Sequence, residues 1–269
     1  MTELLFLHWR HLSRAERWCV AILALALVGW LAMPVVVQDQ AYHRFADTRS
    51  LFGIPNSADV LSNLAFLAVG VYGIGQLAAH DPHAFSPATR AGLWCVSIGF
   101  CATAGGSAWY HIAPSDTTLV WDRLPMTVIF AGLIAAALAQ RVGENVARVG
   151  LALTFELGIA SVVYWAVTRD LSLYLLLQFG GLAALLLLLI VTKRGDDPFP
   201  WGTLIILYAL AKVAELEDQA IWRATGGAFA GHALKHLLAA AVGFAVLLPL
   251  ARSRRGAPAA KSAAATPAP

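Results

Sequence analysis

Three histidines lie within or at the end of apolar segments, where ionisable side chains are uncommon. His232 and His236 are four positions apart, so on a helix both imidazoles lie on one face about one turn apart. His111 lies at the end of a different apolar segment. An ionisable group inside a membrane span is costly unless it is paired or lines a cavity. Three neutral imidazoles with a water in the fourth position form a catalytic type of zinc site. The pattern therefore predicts zinc bound by His111, His232 and His236.

Two further polar residues lie near His111 in the sequence. Ser107 precedes it by one helical turn, and Asp122 follows across a short loop. Zinc would lower the pKa of its bound water and polarise a carbonyl oxygen. Asp122 would exchange the proton of that water, and the Ser107 hydroxyl would hydrogen-bond the developing oxyanion. We predict Asp122 and Ser107 as catalytic residues for hydrolysis of an amide or an ester inside the bilayer.

Each of these residues alone also has a simpler interpretation. A histidine at a helix end is commonly an interfacial or hydrogen-bonded residue. Ser107 would commonly bond to the backbone of its own helix, and Asp122 would pair with the neighbouring Arg123. The metal interpretation therefore depends on the five residues reaching the same depth.

The elements that would position these residues are membrane-spanning helices. The chain is 59% hydrophobic and 13% charged, whereas a soluble domain has about 25% charged residues. The apolar residues form runs of about 20, the length that crosses the hydrocarbon core. This excludes a soluble globular domain and predicts an all-α, polytopic transmembrane bundle. Eight spans are predicted, at 17–37, 58–79, 91–112, 120–140, 146–168, 171–192, 201–216 and 228–251.

Charge distribution orients these spans. An even number places both termini on one side, and most of the 19 basic residues fall on that side, so the positive-inside rule predicts cytoplasmic termini. The five candidate site residues then converge near the non-cytoplasmic side. A net charge of +3 gives no indication of a nucleic-acid partner. Three cysteines in apolar runs predict no disulfide framework.

Three blocks of the sequence resemble the alkaline ceramidases, which belong with seven-span membrane hydrolases and adiponectin-receptor-like proteins. Ser62–Phe66 is similar to the family's S-N-x-x-F, and His232–Leu237 is similar to its H-x-x-x-H-L. Residues 106–111 match G-S-x-x-x-H and are followed eleven positions later by Asp122, in a segment similar to D-E-L-P-M. The likeness extends over 56–250.

The resemblance implies zinc on His111, His232 and His236, with Asp122 and Ser107 around the metal-bound water. It implies hydrolysis of the amide bond of a ceramide-like N-acyl lipid to a fatty acid and a free amine, within sphingolipid metabolism. The lipid substrate is the expected partner, and a bacterial host would place the protein in its inner membrane.

The same resemblance divides the chain into three parts. Residues 1–55 would hold an extra transmembrane helix and a non-cytoplasmic loop, and 56–251 would form the seven-helix core. The Ala- and Pro-rich composition of 252–269 predicts a disordered cytoplasmic tail.

The sequence departs from the family pattern at several positions. The family's calcium-binding carboxylates are reduced here to Asp47 and Asn56, with Asp59 nearby, and calcium prefers several carboxylates. A calcium site therefore has little support, and Asp59 is expected to pair with Arg49. Position 123 is Arg where the family commonly has Glu, which would alter what the cavity mouth accepts.

Lys212 and Glu215 lie three positions apart in an apolar segment and are expected to pair with each other. Three other functions remain open at this stage. A heptahelical receptor would hold zinc as a structural ion. A proton-coupled transporter would use the histidines and Lys212 as a relay. A rhomboid-like serine protease would use Ser107 with a histidine and would need no metal.

Overall fold

A computed structural model describes residues 12–193 and 195–256. Over this part of the chain the regular structure is helical, apart from one isolated bridge between Leu51 and Ile54. The helices, in chain order, are α1 (Arg14–Ala32), α2 (Ser57–Ala78), α3 (Pro87–Ile112), α4 (Asp116–Arg141), α5 (Glu144–Thr168), α6 (Ser172–Val191), α7 (Trp201–Leu216), α8 (Asp218–Ala224) and α9 (Gly231–Gly256). A 3-10 turn, Gln40–His43, lies in the loop between α1 and α2.

Six of these helices are long and apolar enough to cross a membrane: α2, α3, α4, α5, α6 and α9. The prediction of an all-helical protein with several candidate membrane spans is therefore confirmed. These six do not include α1 or α7, and α7 is only 16 residues long. The count of eight spans, and the division into seven core helices and one extra helix, stay predictions.

The first predicted span ends earlier in the structure than expected. Helix α1 stops at Ala32, and Met33 is extended, with φ −73° and ψ 139°. Pro34 explains the stop, because the residue before a proline is sterically pushed out of the α region. The extended segment then binds the loop between α5 and α6. There the Val36 N–H donates to Asp170 Oδ1 at 3.1 Å, and the Val36 carbonyl accepts from the Leu171 N–H at 2.8 Å.

The last helix also differs from the expected boundary. Helix α9 continues to Gly256, so the first residues of the predicted tail 252–269 are helical. Residues 257–269 of that tail lie outside the described residues, as do residues 1–11 of the N-terminal segment.

A close approach of α3 to α4 fixes the geometry of the polar region. A Cβ atom at Gly106 would clash with the carbonyl oxygen of Trp121, so only glycine allows the two backbones to come this near. Gly106 and Trp121 immediately precede Ser107 and Asp122. This contact therefore brings the two predicted catalytic residues to the same level of the bundle.

The polar region lies between two apolar clusters. One cluster packs α2, α3 and α9 together and contains Val69, Leu93 and Leu247. The other contains Tyr110 and Trp165 and lies beneath the loop that joins α1 to α2. The histidines occupy the boundary between them and are shielded by both.

Candidate metal centre

The three predicted histidines meet in space. His111 comes from the last turn of α3, and His232 and His236 come from the first turns of α9. Their ring centroids are 4.8 to 5.0 Å apart, and their ligand nitrogens all lie within 4.8 Å of one another. All three side chains are buried. Among the described residues, no other three His, Cys, Asp or Glu side chains are grouped this way, so this group could hold a metal ion.

His111 has the clearest need for such an ion. It is fully buried, and neither Nδ1 nor Nε2 has a hydrogen-bond partner among the described residues. A neutral imidazole has one donor and one acceptor, and a buried polar atom without a partner costs about 1–3 kcal/mol. A metal ion at the acceptor nitrogen would remove one of these two penalties.

The neighbours of His236 fix which of its nitrogens is available. Nδ1 lies 2.7 Å from the Ser62 hydroxyl, and that hydroxyl donates its single hydrogen to the Asp59 carbonyl at 2.8 Å. Ser62 can therefore only accept from His236, so the proton is on Nδ1 and the lone pair is on Nε2. A hydrogen bond to the ring nitrogen that does not bind the metal orients a metal-binding histidine and strengthens its binding. Sequence analysis placed Ser62 in one of the three blocks that resemble the alkaline ceramidases but did not predict its contact with His236.

His232 is held by two contacts at the start of α9. Its backbone N–H donates to Asp218 Oδ1 at 2.8 Å, and its Nε2 lies 3.3 Å from Lys235 Nζ. Because an ammonium group can only donate, Nε2 presents a lone pair to it. Nε2 therefore carries the lone pair that a metal ligand needs, and a metal ion bound there would displace Lys235 from it.

Ser107 and Asp122 complete the polar group. Both are buried, and Ser107 lies one turn before His111 on α3. The Asp122 carboxyl is close enough to the Ser107 hydroxyl, Lys235 and Arg123 to interact with each of them. Within the described part of the chain the Ser107 Oγ has no hydrogen-bond partner at regular geometry, so its interaction with the Asp122 carboxyl is a long one. Asp122 forms no ion pair with Arg123, whose guanidinium donates to Gln38 Oε1 at 2.6 Å.

A charged network adjoins the histidines and was only partly predicted. Glu215 pairs with Lys212, as expected from their spacing, and also accepts from Lys235 Nζ at 2.8 Å and from the Tyr42 hydroxyl at 3.0 Å. Lys235 is the link that sequence analysis missed. Its position, between the two histidines of the H-x-x-x-H pair, was the available signal.

The expected pairing of Arg49 with Asp59 is wrong. Arg49 binds Asp47 through Nε at 2.8 Å and Nη2 at 2.6 Å, because a partner two residues away in the same loop needs no long-range approach. Burial raises the pKa of Asp47, but the Arg49 hydrogen bonds outweigh it and leave that pKa below its ordinary value. Both Asp59 carboxylate oxygens are buried without a hydrogen-bond partner among the described residues.

Asn56 has a structural contact in the loop before α2. Its side-chain amide donates to the His111 carbonyl oxygen at 2.8 Å, with a left-handed backbone at φ 45°. Asn56 therefore ties the loop to the end of α3 that carries His111.

Comparison with known proteins adds no identity: no family model matches the chain, and neither the curated proteins nor the solved structures contain a match.

Proposed function

We propose that this protein is a zinc-dependent intramembrane hydrolase that cleaves the amide bond of a ceramide-like N-acyl lipid to a fatty acid and a free amine. The observation that carries this proposal is the meeting of three buried imidazoles beside a buried serine and a buried aspartate. The family resemblance of the three sequence blocks supports the amide bond and the lipid substrate.

His111, His232 and His236 would hold the zinc ion. Neutral imidazole nitrogens suit zinc, and the three ligand nitrogens lie within 4.8 Å of one another. Zinc bound there would lower the pKa of a water molecule and polarise a carbonyl oxygen. Structural zinc sites are usually closed by four protein ligands, whereas catalytic sites have three. The group of three found within the described residues supports the catalytic type.

Asp122 and Ser107 would carry out the remaining steps. The Asp122 carboxylate accepts a proton from the attacking water as the oxygen–carbon bond forms. It returns that proton to the amide nitrogen as the carbon–nitrogen bond breaks, so the amine leaves neutral. The Ser107 hydroxyl donates a hydrogen bond to the carbonyl oxygen as negative charge develops on it.

Aromatic side chains would keep this chemistry apart from bulk water. The Phe45 ring lies 4.7 Å from the His111 ring and 4.9 Å from the His232 ring, and the Phe66 ring lies 5.3 Å from the His236 ring. A low-dielectric surrounding strengthens each electrostatic interaction inside it. With both termini in the cytoplasm, the site would open toward the non-cytoplasmic side of the membrane.

Fatty-acid release from a fluorescent N-acyl lipid tests this proposal. Purified protein in detergent would be assayed as the wild type and as Asp122→Asn, with zinc measured in both. We expect release by the wild type only, with zinc retained by the variant. Zinc without any turnover would favour the receptor function and refute the hydrolase. Release that survives a metal chelator would refute the role of the metal.

A further inference from the structure

Arg123 is a buried cation without a carboxylate partner. Its side chain is only 6% exposed, and no Asp or Glu within residues 12–193 and 195–256 forms an ion pair with it. Its one hydrogen bond goes from Nη2 to the neutral side chain of Gln38. The neighbouring Asp122 carboxyl interacts with this charge without forming an ion pair. A buried charge that lacks a direct ion pair is expensive, so the surroundings must offer further compensation or the site must receive an anion.

Aromatic rings supply part of that compensation. The guanidinium carbon lies 4.4 Å from the ring of Trp165, 4.9 Å from that of Tyr174 and 5.5 Å from that of Tyr42. Cation–π contacts of this kind attract a cation to the face of an aromatic ring. They stabilise the charge but do not satisfy the N–H groups.

Two neighbouring donors are left without an acceptor. Arg123 Nη1 and Trp165 Nε1 are both buried and have no hydrogen-bond partner among the described residues. The guanidinium stands over the same indole ring that carries the second donor. A planar carboxylate presents two acceptor oxygens and matches a guanidinium with a further N–H beside it.

A chain of contacts joins this pair of donors to the candidate metal centre. The Tyr42 ring lies next to Arg123, and the Tyr42 hydroxyl donates to Glu215. Glu215 in turn accepts from Lys235, whose ammonium group lies 3.3 Å from His232 Nε2. Arg123 also directly follows Asp122 in α4. The donor pair is therefore connected to the candidate metal centre through a short series of side-chain contacts.

An apolar groove lies next to Tyr174, one of the aromatic residues that contact Arg123. Helices α1, α4, α5 and α6 enclose a cavity of about 470 Å³, and its lining includes Tyr174 and Thr127. Tyr174 contacts Arg123, and Thr127 lies one turn farther along α4. One water molecule takes up roughly 30 Å³ in the liquid, and a methylene group has a similar volume. The volume of the cavity therefore corresponds to a single alkyl chain of about 15 carbons.

We propose that the substrate is an acidic N-acyl lipid whose carboxylate, one or two carbons from the amide nitrogen, binds Arg123 and Trp165. The acyl chain then lies in the groove and the amide lies at the metal centre, an inference that rests on the proposed function. Water adds its oxygen to the amide carbon, the carbon–nitrogen bond breaks, and the nitrogen takes the proton. The products are a fatty acid and an amine that retains the carboxylate.

A matched pair of substrates tests the carboxylate. N-palmitoylglycine carries it, and N-palmitoylethanolamine has a hydroxyl in its place. For the zinc-loaded wild type we expect kcat/KM to be higher for the acid by tenfold or more, since a hydrogen bond to a charged group contributes about 1.5–3 kcal/mol. The Arg123→Gln variant should lose this preference. Trp165→Phe, which retains a ring but has no N–H, should lose part of it. The exposed Arg44→Gln on the preceding loop is the control and should retain the full preference.

The outcomes separate this inference from the proposed function. Hydrolysis of both lipids at equal rates, or faster hydrolysis of the neutral lipid, would overturn the acidic substrate and leave the hydrolase standing. Hydrolysis of neither would count against the hydrolase itself. Binding then decides the inference: N-palmitoylglycine should raise the Tm of the wild type more than N-palmitoylethanolamine does, and that difference should vanish in Arg123→Gln. An equal effect of both lipids on the wild type would overturn it.

Discussion

Replacing Ser62 with alanine should weaken metal binding although Ser62 is not a ligand. The hydroxyl accepts from His236 Nδ1 at 2.7 Å and donates to the Asp59 carbonyl at 2.8 Å. Alanine removes the acceptor closest to the buried N–H of His236 and leaves it only the weaker contact with the Asp59 backbone carbonyl, at a cost of about 1–3 kcal/mol. The Asp59 carbonyl loses less, because it also accepts from the Asn63 side chain at 2.7 Å. If the cost falls on the metal-bound state, the Kd for zinc rises by about 5- to 150-fold. Loss of a residue that hydrogen-bonds a metal ligand typically weakens metal binding by about 10- to 100-fold.

Competition with a chelator of known affinity measures this effect in detergent. Ser97→Ala is the matched control, since Ser97 is also buried and donates only to the Leu93 carbonyl of its own helix, at 2.8 Å. Its Kd for zinc should equal that of the wild type. Equal Kd values for Ser62→Ala and Ser97→Ala would refute the argument that Ser62 sets the tautomer of His236.

Three other substitutions give independent tests. Glu215→Gln should cost about 3 kcal/mol of unfolding free energy, the lower end of the range for a broken buried ion pair, because it leaves two partly buried lysines without their carboxylate. The exposed Glu217→Gln should cost little, and thermal unfolding in detergent compares the two variants. Gly106→Ala should push α3 and α4 apart and reduce hydrolysis on the order of 100-fold while zinc content stays normal, so unchanged hydrolysis would contradict the close approach. Asp47→Asn should lower the Tm at neutral pH. Because Arg49 holds the pKa of Asp47 below its unfolded value of about 3.9, its stabilisation is present above that value and is lost as pH falls through the folded-state pKa. The Tm difference from the wild type should therefore shrink in acid, and a constant difference would contradict it.

The helical periodicity explains why the grouping of the three histidines was predictable. His232 and His236 must share a face of any helix that contains them, and a buried span leaves such groups few uses other than a ligand or a relay. The depth of His111 followed from counting spans. Sequence alone does not show that Gly106 lets α3 and α4 meet, which brings Ser107 beside Asp122.

Side-chain partners across the fold were much less predictable. Arg49 was expected to form an ion pair with Asp59 and binds Asp47 instead. Arg123 donates to Gln38, which lies in a loop 85 positions earlier in the chain. These choices depend on how loops fold over helix ends, which no local spacing encodes. Lys235 was overlooked for the same reason, since its partner Glu215 belongs to another helix. The end of α1 before Pro34 could have been predicted from the steric effect of proline on the preceding residue. The predicted span instead followed the apolar run, which continues to residue 37.

X-ray absorption at the zinc edge, on wild-type protein purified in detergent, tests the central claim most directly. The account predicts about one zinc per chain, with about three nitrogen ligands at about 2.0–2.1 Å and an oxygen in the open position, and loss of that zinc in His232→Ala. Protein that binds no zinc, or a zinc ion whose coordination is unchanged in His232→Ala, would contradict it.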